Sequence, residues 1–227
     1  MAENDEKRIT IMLKKHFDAV IIGNGSFPKS ARVRSLIDKI KVRVCCDGGA
    51  NTFIAEGYQP TLIVGDGDSL TPENKEKYSS IFIQISEQET NDQTKAVKET
   101  ISFLKHKYGI THPQILIVGA TGKREDHTIG NISLLATYLP LADIIMISDY
   151  CYMEAVDSTG QWKLPVGTEV SILNISAKDF HSQGLQYPIY DFDQLWQGTL
   201  NKSNSEIVSI TANGLFLVFI DITTLTF

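Results

Sequence analysis

Cysteine, basic charge and long apolar runs are all scarce in this 227-residue chain. Its three cysteines, Cys45, Cys46 and Cys151, are an odd and sparse set. They show no CxxC or His/Cys spacing, so no zinc site is indicated. Cys45 and Cys46 are neighbours, and on a strand they would point to opposite faces. Lysine and arginine number 21 against 27 acids, a net charge of −6, which argues against a nucleic-acid binder because phosphate backbones demand clustered cations. The one small basic pair, Lys14-Lys15, reads as solvated surface. No apolar stretch approaches the roughly 18 residues needed to cross a membrane. The first residues mix Glu3, Asp5, Glu6, Lys7 and Arg8 and lack the apolar core of a secretory signal, so the expected location is the cytoplasm. Several familiar motifs are missing as well. There is no GxxxxGK[ST] phosphate loop, no complete GxGxxG fingerprint, no GxSxG elbow and no HExxH pair.

What remains is the composition of an ordinary globular protein, 42% hydrophobic and 21% charged, long enough for one large domain or two small ones. From about residue 19 to 149, short apolar runs alternate with helix-like segments. The runs are Ala19–Ile22, Val42–Cys46, Leu62–Val64, Ile81–Ile85, Ile115–Val118 and Ile144–Ile147. Several lack polar alternation, as strands covered on both faces do. After Asp92 the residues Val97, Ile101, Leu104 and Tyr108 recur on one helical face, and Gly109 supplies a stop. A second helix is predicted from about His127 to Leu139, before Pro140. This alternation predicts an α/β fold: a doubly wound, mostly parallel sheet over residues 1–150. Beyond about residue 150, β-forming segments at Glu169–Ile175 and Gly214–Ile220 are punctuated by turn signals. A smaller all-β, sandwich-like domain is therefore expected over residues 151–227.

Ligands of open parallel sheets bind beyond the carboxyl ends of the strands. The residues just after each run are accordingly the informative ones. They read Gly23-Asn24-Gly25, Asp47-Gly48-Gly49-Ala50-Asn51, Gly65-Asp66-Gly67-Asp68-Ser69 and Gly119-Ala120-Thr121-Gly122-Lys123-Arg124-Glu125-Asp126-His127. In an extended stretch Asp66 and Asp68 would share a face, and a divalent cation would relieve their repulsion. Mg²⁺ suits such a site, since it takes a few carboxylates together with waters and substrate phosphates. The plain alternative is a solvated Asp-Gly turn. Glycines of the 119–127 stretch allow close approach to phosphate oxygens, with Lys123 and Arg124 as cationic partners. Asp126 is alternatively an N-cap, and His127 a packed or surface histidine. Asp92 and Lys95 lie on one helical face, as functional groups or as an exposed ion pair.

Taken together and in order, these segments resemble the thiamine pyrophosphokinase family. That family has Asn-Gly after its first strand, an Asp-Gly-Ala-Asn-like turn, Gly-Asp-x-Asp-Ser, Thr-Asp-x-x-Lys, and Gly-Ala-Thr-Gly-x-Arg-x-Asp-His. Here the matches are Asn24-Gly25, Asp47 to Asn51, Gly65 to Ser69, Asp92 to Lys95, and Gly119 to His127 followed by Asn131. Gly184-Leu185-Gln186-Tyr187 and Ser203-Asn204 resemble two later elements. The chain departs from the pattern at Gly67, Glu89, Asn91, Lys123 and Lys202. The resemblance implies transfer of a diphosphate group from ATP to the hydroxyl of thiamine, giving thiamine diphosphate and AMP. It implies Asp66, Asp68 and Asp92 as Mg²⁺ and polyphosphate ligands, with Asp126 as a fourth catalytic acid. Asn24, Asp47, Asn51, Lys95, Thr121, Gly122, Arg124 and His127 fall on the ATP side. It also implies a homodimer in which Tyr187, Ser203 and Asn204 of the β domain form the thiamine surface. Trp196 is either a stacking partner for thiamine or a core residue of the small domain.

Overall fold

Runs such as Ala19–Ile22 and Leu116–Val118 have no polar face to leave in water, so they are stable only where both sides of the strand are covered. The computed structural model describes residues 9–11 and 16–225, and Lys14-Lys15 lies outside the described residues. Two compact units divide the chain between Asp149 and Tyr150, and the N-terminal strand β1 (Ile9–Ile11) is grouped with the second of them.

In the first unit the order is β2 (Ala19–Ile22), α1 (Ala31–Lys39), β3 (Val42–Cys46), α2 (Asp47–Ala55), β4 (Leu62–Gly65), α3 (Pro72–Lys77), β5 (Phe82–Gln84), α4 (Asp92–Tyr108), β6 (Gln114–Val118), α5 (Glu125–Tyr138) and β7 (Asp143–Ile147). The strands lie in the order β5-β4-β3-β2-β6-β7, every adjacent pair parallel. The α/β reading therefore holds. Ile21, Ile63, Ile115, Leu116 and Ile117 are fully buried, each contributing on the order of 1.5–3 kcal/mol relative to exposure. The edge strand β5 is shorter than the 81–85 run because Ser79–Ile81 close a 3-10 turn first. Helix α4 buries Val97 and Leu104 but leaves Tyr108 exposed, and it ends on Gly109 in the left-handed region, φ 72°, which glycine adopts without strain.

The second unit holds β8 (Cys151–Val156), β9 (Thr159–Lys163), β10 (Glu169–Asn174), β11 (Lys178–Gln183), β12 (Asn201–Lys202), β13 (Ile207–Asn213) and β14 (Phe216–Asp221). One set of neighbours runs β1-β9-β13-β11 and another β12-β10-β14-β8. Pairing is antiparallel except between β1 and β9. Alternating burial along β9 and β13 gives one apolar face each, with Trp162, Val208 and Ile210 inside.

Candidate functional site

The chain leaves β2 for β3 on one side, and later returns to place β6 on the other side of β2. Such a reversal opens a crevice at the carboxyl ends of the strands. Here the two loops flanking that point are bonded to each other. The Gly23 amide donates to the Val118 carbonyl (2.8 Å) and the Ser26 amide to that of Thr121 (2.7 Å). The Ser26 hydroxyl donates to the Gly122 carbonyl at 2.8 Å. A Cβ on Gly25 would stand 2.3 Å from the Thr121 oxygen, so only glycine lets the backbones meet. Beside these loops lies a cleft of about 480 Å³, lined among others by Asn24, Asp66, Asp68, Asp92, Lys95, Thr121, Arg124 and His127.

Its acids converge by a route the spacing did not suggest. Asp66 and Asp68 are not on an extended strand. Gly67 turns the chain at φ +84°, and the Asp68 amide donates to Asp66 Oδ1 at 3.1 Å. Both carboxylates still face one point, together with Asp47, with one oxygen from each of the three within 4.8 Å of the others. Asp47 is the first residue of α2, where a helix N-terminus favours negative charge. It is fully buried. Its Oδ2 accepts from the Ser69 amide at 3.0 Å, while Oδ1 has no partner. Gly65 makes the room, since a Cβ there would lie 2.5 Å from Asp47 Cβ. Burial pushes the Asp47 carboxyl above its ordinary pKa; the Ser69 and Gly67 amides draw it back, and the charges of Asp66 and Asp68 push it up again.

Asp92 lies outside that tight trio but within its field. Burial raises its pKa, Lys95 lowers it, and Asp47, Asp66 and Asp68 raise it again. Lys95 is only 3% exposed and its Nζ stands 3.7 Å from Asp92 Oδ1. The ion pair is therefore half-buried, with Lys95 enclosed and the Asp92 carboxylate still open to the cleft. Asp66 moves the other way, because hydrogen bonds from the Gln88 side chain and the Asp68 amide hold its pKa low.

Not every predicted residue reaches the cleft: Asp47, fully buried, is not part of its lining. Asn51 is spent on its own neighbourhood: Nδ2 donates to the Ser69 carbonyl, and Oδ1 accepts from the Thr71 amide and Asn74 Nδ2. Gly122 sits at φ +83° and is not part of the lining. Asp126 is not part of the lining. Its carboxylate is bound to Arg124, 2.6 Å from Nη2, which holds its pKa down at about 2. Conversely, Gln88, Thr90 and Asn131 line the cleft. Gln88 donates to Asp66 Oδ2 at 3.0 Å. Residues 85–91 carry no glycine-acid motif. Their position between β5 and the start of α4 was the available signal.

In the second unit Tyr187 is exposed and borders a small cavity of about 160 Å³ with Tyr190 and Phe192. Ser203 is buried. Its hydroxyl donates to the Pro165 carbonyl (2.7 Å) and accepts from the Thr168 amide (3.0 Å). Asn204 Nδ2 donates to the Leu185 carbonyl at 2.9 Å. Trp196 is 68% exposed, which removes the core alternative; the buried tryptophan is Trp162.

The family model for the thiamin pyrophosphokinase catalytic domain matches residues 33–146, half of the chain, and the model for the substrate-binding domain of the same family matches residues 152–219. Thiamine pyrophosphokinase 3 of Oryza sativa subsp. japonica is 28% identical, with 86% of this chain and 83% of that protein covered. Thiamine pyrophosphokinase 1 of Arabidopsis thaliana is 26% identical over 82% and 78%. Among solved structures, thiamin pyrophosphokinase from Candida albicans superposes with a TM-score of 0.75 at 20% identity, covering 89% of this chain and 88% of that one. The yeast enzyme gives 0.76 at 15% identity, covering 93% and 88%. With two consecutive domains of one family matched in order, this chain belongs to the thiamin pyrophosphokinase family.

Proposed function

We propose that this chain moves a diphosphate group from ATP to the hydroxyl of thiamine, releasing AMP, with Mg²⁺ at the acidic cluster. The observation that carries the reading is the convergence of Asp47, Asp66 and Asp68 within 4.8 Å together with the buried, unpartnered Oδ1 of Asp47. Three hard carboxylate ligands, without a sulfur or imidazole among them, fit Mg²⁺. Left without a cation, the same three would repel one another at a cost to the fold. Asp47, Asp66 and Asp68 would hold the ion, with Asp92 as a further carboxylate close by. Bound there, Mg²⁺ supplies positive charge against polyphosphate oxygens.

The chain's own groups do the rest by position. Phosphoryl chemistry of this kind asks for in-line placement and charge neutralisation more than covalent help. Lys95, fixed at the cleft wall, and Arg124, oriented by Asp126, offer the protein's cations. Asn24, Thr121 and His127 form the ATP side along the bonded loops, and Gly122 supports it through its bond to Ser26. Asn51 supports it indirectly, by fixing residues 69–74. On the thiamine side Tyr187 presents a ring, Asn204 holds the Leu185 carbonyl just before it, and Ser203 ties down the 165–168 turn. The reading carries with it a cytoplasmic homodimer. Among the described residues no helix is long and apolar enough to cross a membrane.

The test is AMP release by the purified protein with ATP and Mg²⁺, with and without thiamine. Thiamine-dependent AMP formation that stops on chelation is the expected result. ATP breakdown indifferent to thiamine would replace the reading with another metal-dependent nucleotide enzyme.

A further inference from the structure

The bonded loops explain how β2 and β6 are held together at the cleft, but not what holds the acidic start of α4 against the glycine loop after β6. The connection is made by two amide side chains. Asn131, in the second turn of α5, donates from Nδ2 to the Ala120 carbonyl at 2.8 Å. Its Oδ1 accepts from Asn91 Nδ2 at 3.1 Å. Asn91 in turn is the N-cap of α4, its Oδ1 accepting from the Thr94 amide and the Thr94 hydroxyl, each at 2.9 Å. One asparagine therefore spends its oxygen on the helix and its nitrogen on the bridge; the other does the reverse between bridge and loop. Two parallel links support the pair. Gln93 Nε2 donates to the Asn131 carbonyl at 3.0 Å, and the Thr94 and Tyr138 hydroxyls meet at 2.7 Å.

We infer that Asn91 and Asn131 are a positioning pair that sets the distance between the metal-side and phosphate-side walls of the cleft. This rests on the proposed function. Asp92 follows Asn91 directly and Lys95 stands one helical turn on, whereas Thr121 follows Ala120. Both asparagines line the cleft themselves. A bound triphosphate touches both walls at once, so an error in their separation is felt by every contact. Displacements of about 1 Å cost up to roughly a hundredfold in rate where reacting groups must be aligned. An amide can hold this position because it donates and accepts at once; a carboxylate there would face the Ala120 carbonyl with no proton to offer.

The experiment is a double-mutant cycle with Asn91→Ser and Asn131→Ala. Serine caps a helix about as well as asparagine but is too short to reach Asn131, so the first variant removes the bridge and keeps the helix. Binding of Mg²⁺ with a non-hydrolysable ATP analogue, followed by titration calorimetry, is the first readout, and kcat and KM for thiamine are the second. Expected are about tenfold weaker binding of the analogue and a similar fall in kcat for each single variant. KM for thiamine should shift less than twofold, and the double variant should be no worse than Asn131→Ala alone. Additive losses would overturn the pair, as would unchanged analogue affinity in Asn91→Ser. If Asn131→Ala does not fold, Asn91→Ser decides by itself on the same affinity criterion. A wild-type protein that binds the analogue but yields no thiamine-dependent AMP would defeat the proposed function and leave the bridge standing.

Discussion

Two regions of this molecule use the same short polar side chains in opposite ways. Around Thr168, Ser203 and Asn201 in the second unit, buried side-chain oxygens and nitrogens are matched to backbone groups. Ser203 bonds Pro165 and Thr168, and Asn201 bonds the amide and carbonyl of Tyr187. At the carboxyl edge of the parallel sheet, Asp47 keeps a buried oxygen without a partner and three carboxylates crowd one point. Buried polar groups that serve the fold find backbone, because an unmet group costs about 1–3 kcal/mol. Where the partner is missing and like charges accumulate, the fold bears a strain that a ligand removes. The difference separates scaffold from site more sharply than residue type does.

Substitutions can press on that contrast. Asp68 is exposed and its carboxylate bonds the neighbouring Ser69 hydroxyl, so Asp68→Asn should not lower the melting temperature of the metal-free protein. Its turnover, read as thiamine-dependent AMP release, should fall about 10²–10³-fold, the scale of losing one group that stabilises transition-state charge. Near-normal turnover at limiting Mg²⁺ would remove the residue from the site. Ser203→Ala belongs to the other region. It strips a partner from the Thr168 amide and the Pro165 carbonyl, and should cost about 1–3 kcal/mol in chemical denaturation; an unchanged midpoint would mean that water takes over both bonds.

Asp126→Asn tests a residue that stands apart from the three crowded acids. Its loss frees Arg124, and turnover should fall about tenfold, less than for Asp68→Asn, with KM for ATP raised. A loss as large as that of Asp68→Asn would make Asp126 a member of the cluster after all. The pair is exposed, and its pH signature is opposite in sign to that of Asp47. The Asp126 pKa is held at about 2, below the ordinary 3.8. Any stability from it is present above the ordinary value and lost as pH falls toward 2.

The smallest effect is also the most discriminating. Asp47 has a raised pKa in the fold, so the unfolded chain gives up its proton first. As pH rises past the ordinary carboxylate value, the metal-free protein loses stability. Asp47→Asn should then be more stable than the wild type at neutral pH without divalent cation, by about 1 kcal/mol or roughly 2–4 °C. The order should reverse when Mg²⁺ is added, because only the wild type gains from it. Thermal scans with and without chelator check both halves, and a variant less stable under both conditions would refute the strain.

Much of this was legible in the chain because it is local. Unbroken apolar runs announce covered strands, and the rule that ligands gather at their carboxyl ends turned Gly65–Ser69 and Gly119–His127 into candidates before any coordinates. The direction of individual side chains was not legible. Asp126 and His127 are adjacent, yet only His127 faces the cleft, because Arg124 captures the aspartate. Asp47 was expected on the ATP side from its motif; it begins α2 and is buried by long-range packing against Gly65 and Ser69. Asn51 and Ser203 carry family motifs but are occupied by backbone bonds that no spacing reveals. Strand β1 was missed as well, because a three-residue strand has too few positions to show a period.

That short strand has a practical consequence. It covers the outer edge of β9, pairing Ile9 to Ile11 with Gln161 to Lys163. A shortened version starting after residue 11 would uncover that row of amides and carbonyls, offering a docking rail to the strands of neighbouring molecules. Expression designs that trim the N-terminus for tidiness would thus trade solubility for brevity.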